Sequence, residues 1–327
     1  MTGRTVLVTG SSGFIGAHTA AGLHAAGWGV TGVDQVPTRQ FTQWESITAD
    51  AADPALLDRI ARGEFAVVVH QAAVTDTGAA NDHRLRWANS TVPLRISRAC
   101  AASGTRLVYA SSGSVYGRVP YGVAVREADA EDPARCSGPL NFYARSKLAA
   151  DRAMRRRAVV LGLDYVGLRY TNIYGPGEHT KGPMASILWQ IVTAAAAGAP
   201  VRLFDDTLTA ARDYLPVQVL VSTLIRLLDT PRVSGVYNLG SGIPVRFETL
   251  LGWCTEWAGA PVPMVGVPNP VRDRYQYWTC ADMHHLAKAL PGLEPVSVDT
   301  IRAYARRLFD LARRDCAAAA GELVKSL

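Results

Sequence analysis

Short apolar runs recur along the first two-thirds of the chain, separated by longer alanine-rich stretches with polar residues at helical spacing. The runs at 4–9, 28–34, 66–70, 105–110 and 164–169 are short, centred on apolar residues, and read as strands. The stretches 14–26, 53–62, 81–103 and 140–161 read as helices. This alternation predicts an α/β fold: a doubly wound parallel sheet covered on both faces. Right-handed crossovers then place every strand's carboxyl end on one edge, where ligands bind. After about Tyr174 the texture changes. Gly175-Pro176-Gly177 breaks the pattern, and prolines recur through 261–295. The expected organisation is a sheet domain over 1–175, a smaller discontinuous C-terminal lobe over 176–316, and a tail over 317–327. A segment around 213–243 returns to the sheet, because Val236–Leu239 still reads as a buried strand. The alanine runs at 194–197 and 317–320 favour helix.

The turn after the first strand narrows the chemistry. Residues 9–16 read Thr-Gly-Ser-Ser-Gly-Phe-Ile-Gly, directly after Val6-Leu7-Val8. Backbone N–H groups and the positive end of the following helix favour an anion such as a pyrophosphate. Of Gly10, Gly13 and Gly16, two permit the tight turn and close phosphate approach, and the third lets the helix pack on the strand. Asp34 ends the second strand, 24 residues after Gly10. A carboxylate there accepts hydrogen bonds from adenosine ribose hydroxyls and repels a 2′-phosphate, which favours NAD over NADP. Arg39 lies five residues on, where its charge can offset that repulsion. His70-Gln71-Ala72-Ala73 ends another strand, and its alanines let the backbone approach a cofactor. Tyr143-Ala-Arg-Ser-Lys147 places a phenol and an ammonium one turn apart on a helix face, able to move a proton. The combination points to a nicotinamide enzyme acting on an alcohol or ketone.

Composition removes other classes. The chain has 327 residues, 48% of them hydrophobic, so it can bury a sizeable core. No run approaches a membrane span of about 18 apolar residues, and Met1-Thr-Gly-Arg4 leads straight into the first strand. Five scattered cysteines without a C-x-x-C suit a reducing compartment, so a cytoplasmic protein is expected. The net charge of +6 attracts polyanions, diphosphate-bearing substrates included. Its densest run, Arg152 with Arg155, Arg156 and Arg157, reads as a solvated helix face. No basic-aromatic stripe points to nucleic acid. His179, His284 and His285 lack zinc-site spacing, and no metal is expected.

Together TGSSGFIG, HQAA, Ser111-Ser112-Gly-Ser-Val-Tyr-Gly117 and Tyr143-x-x-x-Lys147 resemble the extended short-chain dehydrogenase/reductases, a Rossmann-fold family acting mostly on nucleotide-activated sugars. The branch most similar is the ADP-L-glycero-D-manno-heptose 6-epimerases. The resemblance is carried by 139–147, by Arg169-Tyr-Thr-Asn-Ile-Tyr-Gly-Pro176, by His179-Thr-Lys-Gly-Pro-Met-Ala-Ser186 and by Arg274-Tyr-Gln-Tyr-Trp-Thr-Cys-Ala-Asp282. It implies that Tyr143 is the acid/base, its pKa brought down from near 10 by Lys147 and the nicotinamide charge. It implies that Lys147 also holds the nicotinamide ribose and that Ser112 binds the reacting oxygen, with Ser111 and Ser114 as neighbours in register. It implies too that Asn89 orders the site. A tightly held NAD or NADP would also meet Phe14, Ile15, Gln35, Asp50, Ala51, Gln71, Tyr170 and Ile173. Epimerisation returns hydride to the opposite face of a ketone, and the resemblance assigns the second proton-transfer group, paired with Tyr143, to Lys181. Arg212 and Arg274 suit the substrate diphosphate, with Asn172 and Tyr275 completing the pocket. Relatives pair subunits through helices, so a homodimer or larger assembly is expected.

Three features depart from that branch. Pro183 stands in place of a serine, Gln218-Val219 in place of the end of a Val-x-Asp, and the segment from Gly117 to Tyr143 is longer, with Arg126, Arg135 and Cys136. The leading expectation is an NAD(P)-dependent epimerase of a nucleotide-diphosphate heptose, working by transient oxidation. The alternatives are a C4/C5 epimerase or 4,6-dehydratase of another nucleotide sugar, and a catalytically idle nucleotide-binding relative. Gly113-Ser114 after Ser112, instead of an acidic pair, disfavours the dehydratase. Intact Tyr143, Lys147 and Ser112 disfavour the idle relative.

Overall fold

The computed structural model describes residues 3–38, 42–76, 78, 82–230 and 232–325, with side chains of the last helix described as far as Cys316. Twelve strands are described: β1 (Thr5–Thr9), β2 (Gly29–Asp34), β3 (Glu45–Thr48), β4 (Val67–His70), β5 (Arg106–Ser112), β6 (Tyr165–Tyr170), β7 (Asn172–Tyr174), β8 (Val201–Phe204), β9 (Ala211–Pro216), β10 (Gly235–Leu239), β11 (Pro244–Arg246) and β12 (Met264–Val267). The helices are α1 (Phe14–Ala25), α2 (Pro54–Ala61), α3 (His83–Arg86), α4 (Val92–Ser103), α5 (Phe142–Leu161), α6 (Ile187–Ala196), α7 (Val217–Leu228), α8 (Phe247–Ala258), α9 (His284–Ala289) and α10 (Val298–Lys325).

Seven strands form one parallel sheet in the order β10-β6-β5-β4-β1-β2-β3. Val6, Leu7 and Val8 of β1 are fully buried, because both faces of the sheet are covered. Val6 and Val8 pack with Phe14 and Leu23 of α1 and Leu220 and Leu224 of α7. Leu7 faces the other way, toward Leu56 of α2, Ile96 of α4 and Met154 of α5. From β1 the chain winds outward through β2 and β3, then crosses back to β4 and winds in the opposite sense. The switch point therefore lies between β1 and β4, and a crevice opens beyond their carboxyl ends.

A third core has no part in that sheet. Tyr174, Leu188, Ile191, Tyr214, Phe247, Leu250, Ile301 and Phe309 gather α6, α8 and α10 around the small β11-β9-β7 sheet. A two-stranded β12-β8 sheet adjoins it. Among the described residues no helix is long and apolar enough to cross a membrane.

Two elements differ from the sequence expectation. β3 reads Glu-Ser-Ile-Thr and is mostly exposed at the sheet edge, so no apolar run announced it. The helix expected over 81–103 is interrupted by a wide π-type turn at Trp87–Thr91, and residue 81 lies outside the described residues. The turn carries Asn89, whose Oδ1 accepts from Val74 N at 2.8 Å. Its Nδ2 donates to Val74 O at 2.9 Å and to Ser146 Oγ at 3.2 Å. A widened turn of this kind often marks a functional region of a helix.

One turn beyond Lys147 on α5, Asp151 is fully buried. It takes bonds from Arg169 Nε and from the Tyr109 hydroxyl, both at 2.9 Å. Arg169 reaches on to the Tyr116 hydroxyl at 3.0 Å and Glu127 O at 2.7 Å. The network locks α5 to β5 and β6, the strands on which the candidate site stands.

Candidate active site

The first residues of α1 build a cradle. Gly10 adopts φ +70°, and a Cβ on it would lie 2.8 Å from Ala72 N. A Cβ on Gly16 would lie 1.9 Å from Gly10 O. Gly13 is the N-cap of α1 and supplies no side-chain cap, so the helix's first N–H groups face the crevice without one. Asp34 stands beside them. Its Oδ2 accepts from Ser12 N at 3.0 Å and its Oδ1 from Val36 N at 3.1 Å. Arg39 lies outside the described residues. Asp50 accepts from Gln35 Nε2 at 2.8 Å and Trp87 Nε1 at 2.9 Å, with buried Ala51 next to it.

At the end of β4, His70 Nδ1 meets Thr9 Oγ1 at 2.7 Å. Burial, helped by the charge of Lys147, drops the His70 pKa to about 3, so the imidazole is neutral. Gln71 Nε2 donates to the Tyr170 hydroxyl at 2.9 Å, while its Oε1 is buried without a partner. Ala72 and Ala73 continue the wall, and Ile173 is buried in β7. A glycine cradle at an uncapped helix start, a ribose-compatible carboxylate and an orphaned acceptor fit a bound dinucleotide.

On the opposite face, Asn141 caps α5 by accepting from Ala144 N at 2.8 Å, and this fixes the helix start. Two residues on, the Tyr143 hydroxyl hydrogen-bonds Ser112. Ser112 Oγ also accepts from Ser114 N at 3.1 Å and Ser114 Oγ at 2.9 Å. Ser111 Oγ is buried without a partner, so the register selects Ser112. Lys147 Nζ donates to Ala110 O at 2.8 Å and lies 5.8 Å from the Tyr143 ring centroid. Burial lowers its pKa to about 8, against the pull of Asp151. The Tyr143 pKa is raised from its ordinary value. Burial outweighs the opposing bond to Ser112.

Lys181 enters from the α1 side. Its Nζ donates to Glu178 Oε1 at 3.1 Å and lies 5.7 Å from the Phe14 ring centroid. Arg212 is buried on β9, its guanidinium 4.9 Å from the Tyr275 ring centroid and 5.6 Å from that of Phe247. Among the described residues no carboxylate pairs with it. Asn172 Nδ2 donates to Asp213 O at 3.2 Å. Arg274, next to Tyr275 in the chain, is exposed in a 3₁₀ turn at Arg272–Arg274.

The departures also have structural consequences. Pro183 sits in the turn at Glu178–Met184, and Gln218-Val219 lie in the first turn of α7. Arg126 and Arg135 both pair with Asp129, whose carbonyl accepts from Cys136 Sγ at 2.9 Å. These three residues therefore serve the fold of their own segment. That segment is stitched to the lobe by Gln276 Nε2 on Gly117 O at 2.6 Å and Trp278 Nε1 on Val123 O at 2.8 Å. Sequence reasoning missed Glu178 and Thr9. A carboxylate three residues before Lys181 was the available signal for the first; nothing local marked the second.

A profile of the NAD dependent epimerase/dehydratase family matches residues 6–240. The structure is similar to UDP-glucose 4-epimerase from Thermus thermophilus, solved with NAD, at 26% identity and TM-score 0.78 over 93% of this chain and 98% of that one. It is similar to ADP-L-glycero-D-manno-heptose-6-epimerase from Helicobacter pylori at 25% identity and TM-score 0.79, covering 94% and 96%. It is also similar to MoeE5, solved with UDP-glucuronic acid and NAD, at 27% identity and TM-score 0.80, covering 95% and 99%. With the family profile spanning well over half of its length, this chain belongs to the NAD-dependent epimerase/dehydratase family.

Proposed function

We propose that the protein epimerises a nucleotide-diphosphate sugar, most specifically an ADP-glycero-manno-heptose at C6, with NAD as its tightly held cofactor. The observation that supports this reading is that Tyr143 and Lys181, the two candidate proton carriers, stand on elements from opposite sides of the sheet. Tyr143 comes from α5, whose Met154 packs with Leu7 and Ile96. Lys181 lies over Phe14, the first residue of α1, which belongs to the opposite core. That placement suits an epimerase, because the sugar hydroxyl can lie on different sides in the two epimers and a second carrier can then serve the far side. A dehydrogenase that works on one face has no use for the second carrier.

The bound dinucleotide supplies the hydride acceptor and donor. The chain's own residues do the rest. Gly10, Gly13, Gly16, Phe14 and Ile15 receive the pyrophosphate. Asp34 takes the ribose hydroxyls, while Gln35, Asp50 and Ala51 flank the adenine end. Gln71, Ala72, Ala73, Asn89, Tyr170 and Ile173 shape the nicotinamide end. Ser112 orients the sugar hydroxyl, and Tyr143 Oη takes its proton. Lys147 holds the nicotinamide ribose, and its charge favours the phenolate. Lys181 gives a proton to the same sugar oxygen from the other side. Arg212 and Tyr275, with Asn172 and Arg274, receive the diphosphate and the base.

Incubating the holoenzyme with each ADP-heptose epimer and following the C6 proton by NMR tests this. Interconversion of both to one equilibrium ratio is expected. Inversion of UDP-glucose at C4 in place of the heptose would redirect the assignment, and no inversion of either with NAD bound would overturn it.

A further inference from the structure

We infer that Glu178 is the positioning residue for Lys181: a buried carboxylate that tethers the ammonium over the start of α1 and keeps it there as a proton donor. The inference rests on the proposed role of Lys181. Glu178 is 0% exposed, and Lys181 is the cation that faces it. Its Oε1 accepts from Lys181 Nζ at 3.1 Å and Ser186 N at 2.6 Å, and its Oε2 from Ser186 Oγ at 3.1 Å.

A purely structural carboxylate is a poor explanation. Capping of α6 is already done by Ser186, whose own Oγ accepts from Trp189 N at 3.2 Å. Burying a carboxylate is costly without a compensating charge. Tyr174 and Tyr214, whose hydroxyls interact with Glu178, are neutral phenols with raised pKa values and supply no charge. The compensation comes from a lysine, in a chain where only four of 34 basic side chains are lysines. Arginine would make the stronger permanent pair but cannot release a proton. Gly182, immediately after Lys181, has φ +54°, a conformation that folds the chain back at this point. Burial raises the Glu178 pKa, and the charge of Lys181 is the largest opposing influence.

The consequence for turnover is direct. When Lys181 gives a proton to the sugar oxygen, the N–H bond breaks, an O–H bond forms and a neutral amine remains. Glu178 is then a buried anion without its cation, which drives Lys181 to take back a proton from solvent. The carboxylate thus both aims the donor and resets it.

The test compares wild type, Glu178→Gln, Glu178→Asp and Lys181→Met as NAD holoenzymes. The first readout is the rate of Lys181 acetylation by acetic anhydride at pH 8, measured by peptide mass spectrometry against exposed Lys288 as internal reference. The second is kcat and KM for the heptose. In Glu178→Gln we expect Lys181 labelling to rise about fivefold and kcat to fall about tenfold with KM nearly unchanged. Glu178→Asp should recover part of both, and it carries the test if the glutamine variant does not fold. Unchanged labelling and kcat in both Glu178 variants, with Lys181→Met inactive, would overturn the inference and leave the role of Lys181 standing. An active Lys181→Met would overturn that role, while the labelling would still report whether Glu178 tethers the amine.

Discussion

The Asp151–Arg169 pair offers a quantitative test of how the scaffold supports the site. Both side chains are essentially inaccessible, at 0% and 1% exposure. Asp151→Asn keeps the shape and one acceptor for the Tyr109 hydroxyl but leaves Arg169 as an uncompensated buried cation. Breaking such a pair from one side costs about 3–5 kcal/mol. The retained hydrogen bond puts this variant near the lower figure. In a chain of this size each kcal/mol moves the thermal midpoint by about 2–3 °C, so a fall of roughly 6–9 °C is expected. The effect reaches the site as well. Asp151 opposes the burial that lowers Lys147, so without it Lys147 should lose its proton below its present value of about 8. The sign is fixed by linkage. Between that lower value and the ordinary lysine value the unfolded chain binds more protons, so stability rises with pH over a wider window. Thermal unfolding followed by circular dichroism at pH 7 and 9 measures both. The double variant Asp151→Leu/Arg169→Met removes both charges and should regain most of the loss. An Asp151→Asn midpoint within about 1 °C of wild type, or a double variant as unstable as the two single changes summed, would refute the reasoning.

Three further outcomes follow. Gly16→Ala puts a methyl 1.9 Å from Gly10 O, a backbone atom that cannot yield; calorimetric titration should show NAD binding abolished or the protein unfolded, and normal binding would contradict the cradle. His70 is held at about 3 against an ordinary 6.5, so acid protonates the unfolded state first and stability falls as pH drops below 6.5. From pH 7 to pH 5 wild type should lose about 2 kcal/mol more than His70→Gln in urea unfolding, and equal losses would show that the ring is not buried neutral. NAD affinity should weaken between pH 7 and 9 as Lys147 deprotonates; the same titration on Lys147→Met should be flat, and a parallel pH dependence would contradict the assignment.

What the sequence disclosed followed from chemistry that repeats at short range. β1 and β4 are buried on both sides and so show the apolar runs Val6-Leu7-Val8 and Val67-Val68-Val69. The glycine turn was legible because Gly10 and Gly16 answer backbone contacts made within their own strand–helix unit and its neighbouring strand. β3 was not legible, because an exposed edge strand needs no apolar residues. The break at Trp87–Thr91 was hidden because it depends on Asn89 bonding Val74 and Ser146, 15 residues back and 57 ahead. The raised Tyr143 pKa and the grip of Glu178 on Lys181 arise from burial, which no motif encodes. Arg274 looked equal to Arg212 as a basic residue beside aromatics, yet only Arg212 is enclosed by Tyr275 and Phe247.

The central claim is that a hydride leaves one sugar carbon and returns to that same carbon. Deuterium placed on the C6 carbinol of ADP-glycero-manno-heptose, with the holoenzyme in ordinary water, follows it directly. The account predicts an inverted product that keeps its deuterium at C6. Replacement of that deuterium by solvent hydrogen during inversion would contradict it.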